Sequence, residues 1–192
     1  MTVQPLDVHG AYLTTPVIHR DARGEFCEAF AVPAVSSWCT PGLILAQLNT
    51  SWSRRGTLRG LHVSVSADGQ AKLVHCSVGS ILDIIVDVRE GSPSFGRHSA
   101  CTLDSQTRAS LLIPPGVAHG FLALTDSTVV YACTALHDPI NERTLNALDE
   151  ELDLPWPTRE FLIRSTRDLG APSWREAQRE GWLPVSHQPP QW

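Results

Sequence analysis

The stretch Ala71-Lys72-Leu73-Val74-His75-Cys76-Ser77-Val78-Gly79-Ser80-Ile81-Leu82-Asp83-Ile84-Ile85-Val86-Asp87-Val88 decides the fold class. It contains two runs rich in β-branched residues, broken at Gly79, and both read as β-strands. Similar runs flank it: Leu43-Ile44-Leu45-Ala46-Gln47-Leu48 before, Ala109-Ser110-Leu111-Leu112-Ile113 and Thr128-Val129-Val130-Tyr131-Ala132-Cys133 after. Breakers separate them at Arg23-Gly24, Arg55-Gly56, Asp68-Gly69, Gly91-Ser92-Pro93 and Pro114-Pro115-Gly116. The only helical pattern comes late, at about Trp174 to Glu180, with few apolar anchors. Strands first and a helix last predict an all-β sandwich or small barrel carrying a short C-terminal helical segment, not a βαβ fold.

A chain of 192 residues fits one domain, 1–192, ending in an irregular tail at about 184–192 with three prolines. The net charge of −5 offers no basic field for a nucleic-acid backbone, which argues against a nonspecific DNA or RNA binder. Five scattered cysteines (Cys27, Cys39, Cys76, Cys101, Cys133) form no C-x-x-C pair, so neither a zinc nor a redox framework is expected. No run approaches the roughly 18 to 20 apolar residues of a membrane span, and the N-terminus lacks a leader pattern. The expectation is a soluble protein of the reducing cytoplasm. Of 15 basic residues, 14 are arginine and one is Lys72, a skew that codon bias explains in general but that leaves the one lysine to be judged locally.

A small barrel encloses a cavity that side chains either fill or leave for a ligand. In the strand starting near Gln70, Gln70 and Lys72 share a face with Val74 and Cys76, so Lys72 needs an edge position or a pocket that solvates it. In Arg59-Gly60-Leu61-His62, an extended chain puts Arg59 and Leu61 on one face and His62 on the other. Taken singly, each polar residue has an ordinary structural reading. His62 fits a core or turn histidine, Lys72 a surface strand residue, His119 a loop residue at strand entry, Tyr131 core packing and Asp168 a helix cap.

The ordered combination says more. Arg23-Gly24-Glu25-Phe26-Cys27-Glu28, Gln47-Leu48-Asn49-Thr50-Ser51, Leu58-Arg59-Gly60-Leu61-His62, Gln70-Ala71-Lys72-Leu73-Val74, Asp83 to Arg89, Gly91-Ser92-Pro93-Ser94-Phe95-Gly96 and Ile113-Pro114-Pro115-Gly116-Val117-Ala118-His119-Gly120-Phe121 follow in sequence. Together, from about residue 8 to 184, they resemble the dTDP-4-dehydrorhamnose 3,5-epimerase family, which includes 3- and 3,5-epimerases of dTDP-4-keto-6-deoxyglucose. The resemblance implies a cupin-type jelly-roll barrel and a homodimer exchanging N-terminal strands, with a nucleotide sugar in the barrel mouth and no cofactor.

The implied reaction removes a proton beside a C4 ketone and returns one on the opposite face. It needs a base, an acid on the other side and a positive donor for the enolate oxygen. By position, His62 is the base, Asp168 the carboxylate that orients it, Tyr131 the acid, and Lys72 faces the C4 oxygen. Arg23, Arg59 and His119 would contact sugar or diphosphate, with Gln47, Asn49, Glu28 and Glu142 at further binding positions. Two positions depart from the family pattern. The usual thymine-stacking tyrosine falls at or beside His137, and Arg167 stands where some relatives carry lysine.

Two other classes compete. A metal-dependent cupin oxygenase needs a His-x-His pair with further ligands, whereas His62 is followed by Val63-Ser64. A non-catalytic barrel binding a nucleotide sugar would not need the full His, Tyr, Lys and Asp set. Residue types do not separate C3 from C3 and C5 inversion; the arginine-rich composition and the divergent stacking position favour a secondary-metabolite sugar pathway.

Overall fold

The computed structural model describes residues 1–30, 45–66 and 69–186. Its strands are β1 Thr2–Pro5, β2 Tyr12–Thr15, β3 Ile18–Asp21, β4 Gly24–Cys27, β5 Gln47–Ser53, β6 Leu58–Ser64, β7 Lys72–Val78, β8 Ser80–Asp87, β9 His98–Asp104, β10 Ser110–Ile113, β11 Val117–Ala123, β12 Ser127–Cys133 and β13 Glu142–Thr144. Helix α1 is Thr166–Leu169 and α2 is Trp174–Glu180. One sheet runs β1-β2-β10-β7-β12-β5 and a second β13-β6-β11-β8-β9, while β3 and β4 form a hairpin of their own. Two facing antiparallel sheets make the expected jelly-roll barrel. The expected run at 43–48 is displaced: β5 starts at Gln47, and Leu43 and Ile44 lie outside the described residues.

Between the sheets, Val74, Cys76, Leu111 and Val129 pack against Ile81, Ile85, Leu103 and Phe121. The second core lies on the outer face of the five-stranded sheet. There Leu58, Leu61, Val63, Ile84, Val86 and Leu122 meet Leu145, Leu152, Leu154, Trp156, Trp174, Ala177 and Leu183. The C-terminal segment is therefore a packed layer and not an appendix. Helix α2 needs only Trp174 and Ala177 as buried anchors because Ser173 and Glu176 close a capping box at its start and Gly181 ends it in the left-handed conformation. The start of the expected irregular tail is pinned: Glu90 donates its N–H to the Pro184 carbonyl, and Ser186 donates to Glu90 in return. Residues 187–192 of that tail lie outside the described residues.

A buried carboxylate ties the N-terminal segment to the barrel. Asp87, fully buried, accepts from Arg89 and from the hydroxyls of Ser92 and Ser94, and Arg89 Nη2 donates to the His9 carbonyl at 2.7 Å. Burial pushes the Asp87 carboxyl up, but these donors outweigh it and hold it below its ordinary value.

The expected alternation in β6 does not hold. Leu58, Leu61 and Val63 belong to the outer core, whereas Arg59 and His62 both face inward. The ladder with β11 slips between His119↔His62 and Phe121↔Arg59. An extra residue in one strand shifts its side-chain parity, and Gly60 occupies the slip. A Cβ on Gly60 would lie 2.6 Å from the His119 carbonyl oxygen, and one on Gly120 would lie 2.7 Å from the Arg59 carbonyl oxygen. Two glycines thus let β6 and β11 approach where both histidines point into the barrel.

Candidate active site

A cavity of about 370 Å³ opens between the sheets, inside the range that holds a small ligand. The register builds one wall in three rows. Gln47, Cys133 and Lys72 stand side by side across β5, β12 and β7; then Asn49, Tyr131 and Val74; then Ser51, Val129 and Cys76. Successive rows lie about 7 Å apart because inward side chains recur every second residue. The inward placement of Lys72 with Val74 and Cys76 follows the sequence reading. Lys72 is only 8% exposed and stands between Cys133 and Ile113 across the ladder.

The opposite wall carries Arg59, His62 and His119. His62 Nε2 lies 2.8 Å from Asp168 Oδ1. With the proton on Nε2 donated to that carboxylate, Nδ1 is the ring nitrogen left to accept another. Asp168 is not the helix cap. Ser165 is the cap, its hydroxyl accepting from the Asp168 N–H, and the single turn of α1 carries the 3%-exposed carboxylate to His62. Burial pushes the Asp168 carboxyl up, but hydrogen bonds from His62, Ser165 and the Gly60 N–H prevail and keep it below the usual value. Arg164 Nη2 donates to the Asp168 carbonyl at 2.6 Å, fixing the turn.

A second histidine–carboxylate pair lies deeper: His119 Nε2 stands 2.9 Å from Oδ2 of the fully buried Asp83. Asp83 was not among the expected site residues, although its place on the same face of β8 as Ile81 and Ile85 marks a carboxylate in an apolar row. Facing the histidines, Tyr131 is driven up by burial, then by Cys133 and Glu142, against a smaller pull from Arg59. It is therefore a phenol at neutral pH, able to give a proton. The Cys133 thiol beside it is likewise raised by burial, more than Lys72 and Asn49 lower it.

Other expected residues divide into two groups. Gln47, Asn49, Arg59, His119, His137 and Glu142 line the cavity. Gln47 donates to Asn49 Oδ1 at 2.7 Å and accepts the His137 N–H at 2.8 Å, which sets the exposed His137 at the mouth. Arg59 donates to Ser53 Oγ and the Trp52 carbonyl. Arg167 and Asp168 line an adjoining hollow that meets the cavity at His62 and Arg59, and Arg167 Nη2 donates to the Glu142 carbonyl. Arg23 and Glu28 do not line either hollow; Arg23 sits at the tip of the β3–β4 hairpin, paired with Asp21. Sequence reasoning assigned no role to Ser51, Gln70, Phe121 or Cys133, which also line the cavity. Strand parity could have found Ser51, two residues beyond Asn49, and Cys133, two beyond Tyr131. Among the described residues, no three His, Cys, Asp or Glu side chains are grouped to hold a metal ion.

A jelly roll with a carboxylate-backed imidazole on one wall and a neutral phenol on the other is built for moving protons across a bound molecule, the work of an isomerase. The sequence model of the dTDP-4-dehydrorhamnose 3,5-epimerase family matches residues 5–176. The dTDP-4-dehydrorhamnose 3,5-epimerase of Mycobacterium tuberculosis is 43% identical over 187 residues, covering 96% of this chain and 93% of that protein. The solved M. tuberculosis rmlC epimerase superposes with a TM-score of 0.92 at 42% identity, over 96% of this chain and 94% of the other. ChmJ, a 3'-monoepimerase from Streptomyces bikiniensis solved with dTDP-quinovose, superposes with a TM-score of 0.90 at 38% identity, over 95% and 92%. The chain belongs to the dTDP-4-dehydrorhamnose 3,5-epimerase family.

Proposed function

We propose that the protein inverts C3 of a dTDP-4-keto-6-deoxyhexose through an enolate, in deoxysugar biosynthesis. The observation that carries this reading is the His62–Asp168 pair on β6 facing the cavity that Tyr131 on β12 also lines. His62 takes the C3 proton, and the imidazolium formed is stabilised by Asp168. Lys72, a compact cation at the cavity wall, stabilises the oxygen that becomes negative. Tyr131 returns a proton from the opposite face, which leaves C3 inverted. Arg59, His119, Gln47, Asn49, Glu142 and Arg167 hold the sugar and diphosphate, and His137 stacks beneath the nucleobase with a smaller ring than tyrosine.

The working unit is a homodimer in the cytoplasm. Two features support the pair: the isolated β3–β4 hairpin exposes Phe26 at 65%, and β5, the sheet edge beside the cavity, exposes Leu48 and Trp52. A partner's hairpin laid on that edge would bring its Arg23 and Glu28 to the site. The free buried thiols of Cys76, Cys101 and Cys133 suit a reducing compartment.

The test is incubation with dTDP-4-keto-6-deoxyglucose in deuterated buffer. Label at C3 alone identifies a 3-epimerase, label at C3 and C5 a 3,5-epimerase, and no incorporation refutes the function. For the dimer, mixed His62→Ala and Arg23→Ala subunits should regain activity that each lacks alone, since a hybrid pair holds one intact site.

A further inference from the structure

Along β5, the inward side chains Gln47, Asn49, Ser51 and Ser53 form a polar line, and all but one have partners. Gln47 and Asn49 bond each other, and Ser53 holds Arg59. The Ser51 hydroxyl is shut off from bulk solvent, lines the cavity and has no hydrogen-bond partner. A buried hydroxyl without a partner is costly to the free protein, and an oxygen of a ligand entering the cavity would supply one.

The position indicates which part of a ligand arrives. Gln47, on the edge strand, is at the mouth, next to the exposed His137. The Ser51 row is at the closed end, where Val129, Cys76 and Phe121 belong to the apolar core. Tyr131 stands in the row between, about 7 Å from each. A charged diphosphate and its nucleoside cannot be buried against that core without heavy desolvation cost and must remain on the mouth side. A hexose that reaches Tyr131 then presents its far edge to Ser51.

We propose that Ser51 is a specificity-determining residue, its hydroxyl bonding an oxygen of the hexose on the edge away from the nucleotide. This rests on the nucleotide-sugar reading given above. Ser51 makes the sugar, and not the diphosphate, the object of its recognition, and it adds nothing to the fold of the empty protein.

The experiment compares Ser51→Ala with the wild type by calorimetric titration of dTDP and of dTDP-glucose, together with thermal unfolding of the ligand-free proteins. The variant should bind dTDP within twofold of wild type and dTDP-glucose about 3- to 10-fold more weakly, the range of one neutral hydrogen bond. Its ligand-free Tm should be equal or higher, because an unsatisfied polar group has gone. Equal affinity for dTDP-glucose, or a parallel loss for both ligands, would overturn the inference while leaving the epimerase reading intact. Wild-type protein that bound neither compound would overturn both.

Discussion

His62 and Asp168 meet at 2.8 Å across 106 residues of chain, and the contact joins the inner face of the barrel to a turn from the C-terminal layer. Asp168→Asn keeps the shape but donates or accepts through an amide, so the imidazole loses both its fixed tautomer and its counter-charge. Proton exchange at C3 should fall by roughly 10²-fold or more, with dTDP affinity nearly unchanged. Solvent-deuterium incorporation measures the first and calorimetry the second. Near-normal exchange would remove Asp168 from the mechanism.

Tyr131 is held protonated by burial and by its neighbours Cys133 and Glu142. The alkaline fall of kcat should therefore lie above the ordinary tyrosine pKa of about 10. Tyr131→Phe should cut epimerised product by roughly 10²- to 10⁴-fold while His62-dependent exchange of the substrate proton persists. A kcat profile falling well below pH 10 with the Tyr131 phenol still protonated would point to another acid.

Lys72 is the one lysine in a chain that otherwise uses arginine, and it is buried in a row between Cys133 and Ile113. A planar guanidinium is larger and less adaptable than an ammonium at such a place. Lys72→Arg should fold with a Tm near wild type yet lose roughly 10²-fold in kcat, with KM little changed. Full turnover by the arginine variant would show that only charge matters there.

Asp87 and Asp168 both titrate below the 3.8 of a free aspartate. Each therefore stabilises the fold fully above its unfolded value, and the contribution is lost as the pH falls through the lower folded value. Wild-type Tm should drop steeply below about pH 4. Asp87→Asn should cost about 3 kcal/mol at neutral pH, since Arg89 loses its buried partner, and should flatten the acid slope. An unaltered slope in urea or thermal unfolding across pH 2 to 5 would reassign the acid sensitivity.

Much of this arrangement is legible in the sequence. The inward line Lys72, Val74, Cys76 follows from strand alternation, and α2 spans the helical stretch read from the sequence. The run in β8, apolar on both faces apart from Asp83, also requires a cover for the outer face: Ile81 and Ile85 face one core while Ile84 and Val86 face another. The shared inward direction of Arg59 and His62 was not legible, because the slip depends on Gly120 in a strand 60 residues away. Asp168 gave no local sign of its contact with His62 either. That pairing is made across the fold, and only the motif resemblance brought the two residues together.

The glycine pair in β6 and β11 has a consequence for how this site can change over time. The gap between the two inward histidines is set by backbone against backbone, with no side chain as a shim. Core residues around it can drift without altering that gap, but neither glycine can be exchanged alone. The spacing of the two histidines is therefore inherited as a property of the main chain, while the mouth, built from side chains such as His137, is free to be retuned.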